Sequence, residues 1–316
     1  MSERRLLLTS SPHISGEDTV QGIMRTVLLA LLPPALAGVY FFGLHALWLM
    51  LACMLAAVAA EAAVQSLRKK PVTVSDCSAL VTGLLLALSL PPALPIWMGV
   101  LGSAVAIILA KQLFGGLGTN PFNPALAGRA FLAAAFPVHL TTWNTLGGSL
   151  AALGADALTS ATPLKLWKMQ HVGTALSRLF FGAHLGSIGE TSVLAILIGA
   201  AILLARRIID WRIPGGFLGT VAVLSLILGQ NPLFHLTAGG LLLGAFFMAT
   251  DYVTTPVTPG GRWLFGIGAG VILMVIRLYG GLPEGVTYAI LIMNGFAPLI
   301  GRATWPKRFG EVKARA

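Results

Sequence analysis

Charge is what this sequence has least of. Of its 316 residues only 10% are Asp, Glu, Lys or Arg, and 56% are hydrophobic, against roughly 25% and about 45–50% in soluble domains. So few charges cannot cover the surface of a water-soluble globule of this length. Acidic groups are the scarcer sign, 11 against 21 basic ones, which leaves a net charge of +10. A basic balance invites a nucleic-acid surface, but Lys and Arg here sit in short segments between apolar runs. That is the placement the positive-inside rule gives a membrane protein. No basic stretch carries interleaved aromatics for base stacking, so nucleic acid is not an expected partner. Only two cysteines occur, Cys53 and Cys77. They have no C-x-x-C spacing and no neighbouring His, which excludes a disulfide framework, a zinc site and a complete iron–sulfur site.

What the chain has in abundance is long apolar runs. A bilayer span needs about 17–25 predominantly apolar residues. Ten runs are predicted as spans, at about 23–43, 44–65, 78–92, 94–111, 123–137, 189–205, 213–229, 234–249, 263–280 and 284–301. The first twenty residues are mostly polar, with no apolar core and no cleavage site, so the first span is expected to act as an uncleaved insertion signal. Pro33-Pro34 falls inside it. Two segments are broken by Gly, Pro and Asn: FGGLGTNPFNPALAGRAFLAAAFP at 114–137 and ATDYVTTPVTPGGR at 249–262. Irregular backbone at membrane depth survives only where it is buried in protein or lines a cavity.

The basic residues fix an orientation. With Arg4 and Arg5 on the cytoplasmic side, Arg68-Lys69-Lys70, Lys111, Arg206-Arg207, Arg212, Arg262 and the tail fall there too. Lys165, Lys168, Arg178 and Arg277 alone fall on or near the outer side. The expected organisation is a cytoplasmic segment 1–22, a first membrane repeat 23–137, an external loop 138–188, a second membrane repeat 189–301 and a basic cytoplasmic tail 302–316. The repeat is visible in the letters. Gln112-Leu113-Phe114-Gly115-Gly116-Leu117 follows one span, and Arg277-Leu278-Tyr279-Gly280-Gly281-Leu282 follows another. Upstream, Gly83-Leu84-Leu85-Leu86 has a counterpart in Gly240-Leu241-Leu242-Leu243. Five spans in each half would set the two repeats in opposite orientation.

The densest polar chemistry lies in the loop, as Asp156-Ala157-Leu158-Thr159-Ser160-Ala161-Thr162-Pro163. Pro163 pushes Thr162 into extended geometry, so its hydroxyl is expected on a non-helical segment that another macromolecule can approach. By spacing alone the stretch also reads as an Asp cap or an ordinary turn. No local His is placed to activate the hydroxyl, since His171 is nine residues away and reads as a surface histidine.

With its surroundings, this stretch resembles the RnfD/NqrB family of membrane redox-complex subunits. The stretch is similar to the flavinylation pattern D-x-x-[ST]-[GS]-A-[TS], with Ser160 where members often carry Gly. Further resembling segments run in family order: SPHISGEDT, RKKPVTVSDCSALVTGLLLALSLPP, KQLFGGLGTNPFNPALAGRAFL, MATDYVTTPVTPGGRWLFGIGAG and YGGLPEGVTYAILIMN. The resemblance implies an all-α polytopic fold like that of urea transporters. It implies FMN attached through a phosphoester to Thr162, with Asp156, Thr159, Ser160 and Ala161 read by a flavin transferase. It allows a second, non-covalent flavin (riboflavin). The implied role is electron relay within an ion-translocating (Na+ or H+) ferredoxin:NAD oxidoreductase of a bacterial inner membrane, beside Rnf subunits A, B, C, E and G. No nucleotide fingerprint and no cluster cysteines are present, so this chain supplies neither the ferredoxin nor the NAD site. NqrB-type subunits carry a longer region ahead of the first span, whereas about twenty residues precede it here, which favours the Rnf side. A solute or ion channel without redox role is the alternative from another class.

Polar groups in the broken segments are further candidates, because ionisable residues at membrane depth serve function by default. Arg129 is expected to face a flavin phosphate or the interface between repeats, Asn123 to bind cofactor or satisfy freed backbone, and Asp251 to lie on an ion path. Glu61, Asp76 and Glu284 fall near predicted span ends, where interfacial solvation is expected. His45 is the weakest candidate.

Overall fold

The computed structural model describes residues 19–143, 162–170, 173–281 and 284–306, and all their regular structure is helical. The chain enters through α1 (Val20–Phe42), capped by Thr19, whose hydroxyl accepts from the Gly22 amide at 3.1 Å. Pro33 and Pro34 sit inside this helix without ending it. Gly43, at φ 80°, turns the chain directly into α2 (Leu44–Leu67), a conformation for which glycine is the suited residue. Next come α3 (Ser78–Leu88), α4 (Ile96–Val105), which runs on as a π-helix over Ala106–Gln112, α5 (Pro124–Ala135) and α6 (Pro137–Thr141).

After the region 144–161 stand two short helices, α7 (Pro163–Gln170) and α8 (Leu176–Phe181). The second half then runs through α9 (Val193–Ala205), α10 (Arg212–Ile227), α11 (Pro232–Thr237), α12 (Leu241–Leu243) with a π-helical continuation over Gly244–Met248, α13 (Pro259–Tyr279) and α14 (Val286–Thr304).

Four helices, α1, α2, α13 and α14, are long and apolar enough to cross a membrane. Five shorter apolar ones are Ser78–Leu88, Ile96–Gln112, Pro124–Ala135, Val193–Ala205 and Arg212–Ile227. The continuous span expected at 234–249 is instead two short pieces. Asn231 caps α11 through its side chain, and Gly239 at φ 72° breaks the chain before α12. Alternating Asn-Pro and Gly-Gly signals overrode the apolar run.

The helices meet through small residues, as in other membrane bundles, where close backbone approach replaces a hydrophobic driving force. A Cβ at Gly199 of α9 would lie 2.1 Å from the Ala30 carbonyl of α1, so these helices touch backbone to backbone across the two halves. A Cβ at Gly83 of α3 would lie 2.7 Å from the Cys53 carbonyl of α2, and one at Gly266 of α13 would lie 2.5 Å from the Ile213 carbonyl of α10. Large apolar side chains such as Leu36, Leu55 and Val275 point outward, as a lipid-facing surface requires. The core is shared: Leu31, Leu49, Leu86, Ile196, Phe217 and Phe265 belong to one buried cluster.

Candidate functional site

Two polar regions interrupt this apolar interior. The first begins at Thr162. Its carbonyl accepts from Leu166 at 2.9 Å and its hydroxyl from the Lys165 amide at 3.3 Å, so Thr162 caps α7. It is non-helical, as Pro163 dictates, but it is only 2% exposed. The expectation that its hydroxyl is open to another macromolecule is therefore corrected: Thr162 is buried at the head of α7, a helix that packs on the second half. Leu164 fills the notch at Gly239, where a Cβ would come within 2.5 Å of it. The Trp167 ring meets His235 edge-on at 4.9 Å, and Lys168 donates to the Gly280 carbonyl. Burial pushes the Lys168 ammonium below its ordinary pKa. Asp156, Thr159, Ser160, Ala161 and His171 lie outside the described residues.

Lys165, in the first turn of α7, lines a cavity of about 310 Å³ together with Arg129, Trp143, Glu284 and Tyr288. Arg129 of α5 pairs there with Glu284, just ahead of α14, at 2.6 Å. The pair bridges the two halves, and neither side chain is more than 13% exposed. Glu284 is thus ion-paired within the protein, not solvated at a span end.

The second region lies among the broken segments. A smaller cavity of about 90 Å³ is lined by Ser78, Lys111, Asn120, Asn123, Thr250 and Asp251. Asn123 caps α5 with its side-chain oxygen and donates to the Met248 carbonyl at 3.0 Å, tying the two breaks together. Asn294, its amide oriented to satisfy both neighbours, accepts from the Asn123 N–H at 3.0 Å. The Asp251 carboxylate accepts from Thr254 at 3.2 Å. Asn123 and Asp251 therefore share a cavity, whereas Arg129 belongs to the other one.

Lys111 and Glu61 correct the charge-based reading. Lys111 is 2% and Glu61 1% exposed, and they form an ion pair at 2.8 Å inside the bundle. Gln112 and Ser78 complete the network, Gln112 donating to Glu61 at 2.8 Å and Lys111 to the Ser78 hydroxyl at 2.6 Å. Glu61 is not solvated at an interface, and Lys111 is not a loop charge. Arg277, expected on or near the outer side, is 1% exposed and held within the protein. Asp76 bonds the Ser78 amide and hydroxyl, and His45 bonds the Leu94 carbonyl at 3.1 Å. Both roles are structural.

This architecture defines an all-helical membrane protein with polar cavities set between two helical halves. The profile of the NQR2, RnfD, RnfE family matches residues 7–310, and the chain belongs to that family. It is 48% identical over 319 residues to the D subunit of the Na(+)-translocating ferredoxin:NAD(+) oxidoreductase complex of Acetobacterium woodii, covering 100% of this chain and 98% of that protein. It is 45% identical to the D subunit of the proton-translocating ferredoxin:NAD(+) oxidoreductase complex of Clostridium ljungdahlii, with 96% of each chain covered. With the D subunit of the ion-translocating oxidoreductase complex of Stutzerimonas stutzeri the identity is 43%, over 93% of each chain.

Proposed function

We propose that this chain is the D subunit of an ion-translocating ferredoxin:NAD oxidoreductase complex, a redox-driven pump, and that it carries FMN as a phosphoester on Thr162. The observation that carries the cofactor assignment is the position of Thr162 at the head of α7, whose first-turn Lys165 lines the cavity together with Arg129. The head of α7 carries the positive end of its helix dipole, which favours a phosphate, although Pro163 has no N–H and the Lys165 amide is already held by Thr162. Lys165 adds a cation in the first turn, so these residues suit the group. Bound FMN supplies the electron-transfer chemistry. The chain contributes the anchoring hydroxyl and the positive first turn of α7. Trp143 and Tyr288 give the cavity aromatic walls, and the paired Arg129 and Glu284 tie it across both halves.

The finer topology belongs to the same reading: ten spans in two inverted repeats, the eighth of them broken into α11 and α12, with both termini cytoplasmic and the Thr162 loop outside. The order of the letters supports it, since Gly-Leu-Leu-Leu is followed by aromatic-Gly-Gly-Leu in both halves, at 83–86 and 114–117 and at 240–243 and 279–282. Asp251, in its cavity with Lys111, is our candidate for the ion path. Rnf subunits A, B, C, E and G and a flavin transferase are the partners, and a second, non-covalent flavin (riboflavin) is part of the proposal.

The test is in-gel flavin fluorescence of the denatured protein after co-expression with its transferase, comparing wild type with Thr162→Ala. Fluorescence that survives denaturation and is lost in the variant upholds the assignment. A folded wild type without bound flavin, despite an active transferase, returns the motif to a turn.

A further inference from the structure

Among the described residues, ten buried side-chain atoms have no protein hydrogen-bond partner, and most of them converge on one place. They include Ser187 Oγ, Glu190 Oε2, Thr191 Oγ1, both ring nitrogens of His235, Arg277 Nε and Glu284 Oε1. Glu190 is 2%, Arg277 1% and His235 0% exposed. The sequence brings them together through the break between α11 and α12. A Cβ at Gly239 would lie 3.4 Å from Arg277 Nη2, and one at the adjacent Gly240 would lie 3.2 Å from Glu190 Oε2. Two consecutive glycines thus form the floor on which the guanidinium and the carboxylate both rest.

Neither group is closed off by the other. Arg277 donates Nη1 to the His235 carbonyl at 2.6 Å and Nη2 to the Ala238 carbonyl at 3.0 Å. Glu190 accepts from the Ser187 amide at 2.8 Å through Oε1 alone. Glu190 and Arg277 each feel Glu284 electrostatically, and Arg129 acts on Glu190, which joins the cluster to the Arg129–Glu284 pair and its 310 Å³ cavity.

Buried polar atoms of both kinds, donors and acceptors, left unpaired at these positions call for water, which needs two to four polar partners. A metal ion does not fit. Arg277 Nε can only donate, and two guanidiniums stand within electrostatic reach of the two carboxylates. We propose that Glu190 and Arg277 form the centre of a hydrated, proton-exchanging site, continuous with the cavity at Arg129 and Glu284. The ligand is a proton delivered by water. It adds to Glu190 Oε2, converting carboxylate to carboxylic acid, and returns to water on release, while Arg277 and its backbone bonds stay fixed. The neighbouring titratable groups are Glu284, His235 and His184, so the site is assigned by variants of each.

The experiment is infrared difference spectroscopy of the intact complex in lipid nanodiscs, titrated through the neutral range in H2O and in D2O. The expected result is a protonated-carboxyl band that titrates, shifts in D2O and disappears in Glu190→Gln, while surviving in Glu284→Gln, His235→Gln and His184→Gln. Persistence of the band in Glu190→Gln would overturn the assignment. If Glu190→Gln does not assemble, Glu190→Asp replaces it: a shifted carboxyl band upholds the assignment, and a band unchanged from wild type, or no titrating band in either, overturns it. The signal does not depend on flavin on Thr162, so it separates this site from the cofactor assignment.

Discussion

Lys111 and Glu61 lie 50 residues apart in sequence and 2.8 Å apart in space, both sealed inside the bundle. Removing one partner of a buried pair leaves an uncompensated charge and costs about 3–5 kcal/mol, whereas replacing both by apolar groups of similar volume is often neutral. Glu61→Leu and Lys111→Met are therefore each expected to lower thermal stability in detergent sharply. The double variant is expected to recover most of the loss. Equal Tm values for both single variants and wild type would show that the pair carries no structural weight.

Docking of α7 is expected to control access to Thr162. Leu164 is 2% exposed in its notch, and truncating a buried Leu costs at least about 2 kcal/mol. That raises the undocked population roughly 25-fold. Leu164→Ala in folded, membrane-embedded protein is expected to take up flavin faster than wild type when transferase is added late. A time course of covalent fluorescence measures it, and equal rates would mean that docking does not limit attachment.

Gly199 tolerates no side chain. With a Cβ 2.1 Å from a backbone carbonyl, Gly199→Ala must push α9 away from α1, and overpacking of this kind costs about 1–3 kcal/mol or more. Reduced membrane accumulation and a lower Tm are expected. Gly219, whose Cβ would meet nothing within 4 Å, provides the control that should leave both unchanged.

Asp210, in the turn between α9 and α10, gives a pH dependence of known sign. Partial burial raises its pKa, but bonds from the Arg212 amide and from the Arg262 and Arg212 guanidiniums outweigh it, and the carboxyl is held below its usual range. Its folded pKa lies below its unfolded one. Its stabilisation is thus present above the ordinary aspartate pKa and lost as pH falls through the folded value. The protection factors of residues 208–212, with the intrinsic pH dependence of amide exchange divided out, should fall only in that acid window. In Asp210→Asn they should be lower and flat with pH.

Much of this was legible in the letters. The helix starts at Asn123-Pro124, Asn231-Pro232 and Thr258-Pro259 carry a capping side chain followed by proline, and the apolar runs located most helices to within a few residues. Long-range charge pairing was not legible. Lys111 precedes a Gly-rich break just as a loop lysine would, and its partner Glu61 sits a whole helix pair earlier. Arg277 hides its burial in the same way, standing ahead of an aromatic-Gly-Gly turn. Glu190 carried one weak signal, a carboxylate in the Gly-rich stretch ahead of an apolar run, which is equally what a solvated span end looks like. The motif marked Thr162, but not its burial, because the residues that α7 packs against come from α11 and Gly239, some seventy positions on.

The π-helical stretches Ala106–Gln112 and Gly244–Met248 make spacing an inherited constraint of this fold. A π-turn accommodates one residue more than an α-turn, and each α-helical residue advances the chain by roughly 100°. Straightening Ala106–Gln112 into a regular α-helix without removing a residue would swing Lys111 and Gln112 by roughly 100°, away from Glu61. The extra residue and the π-turn that absorbs it are therefore tied together in each of these two stretches: either can be lost only along with the other.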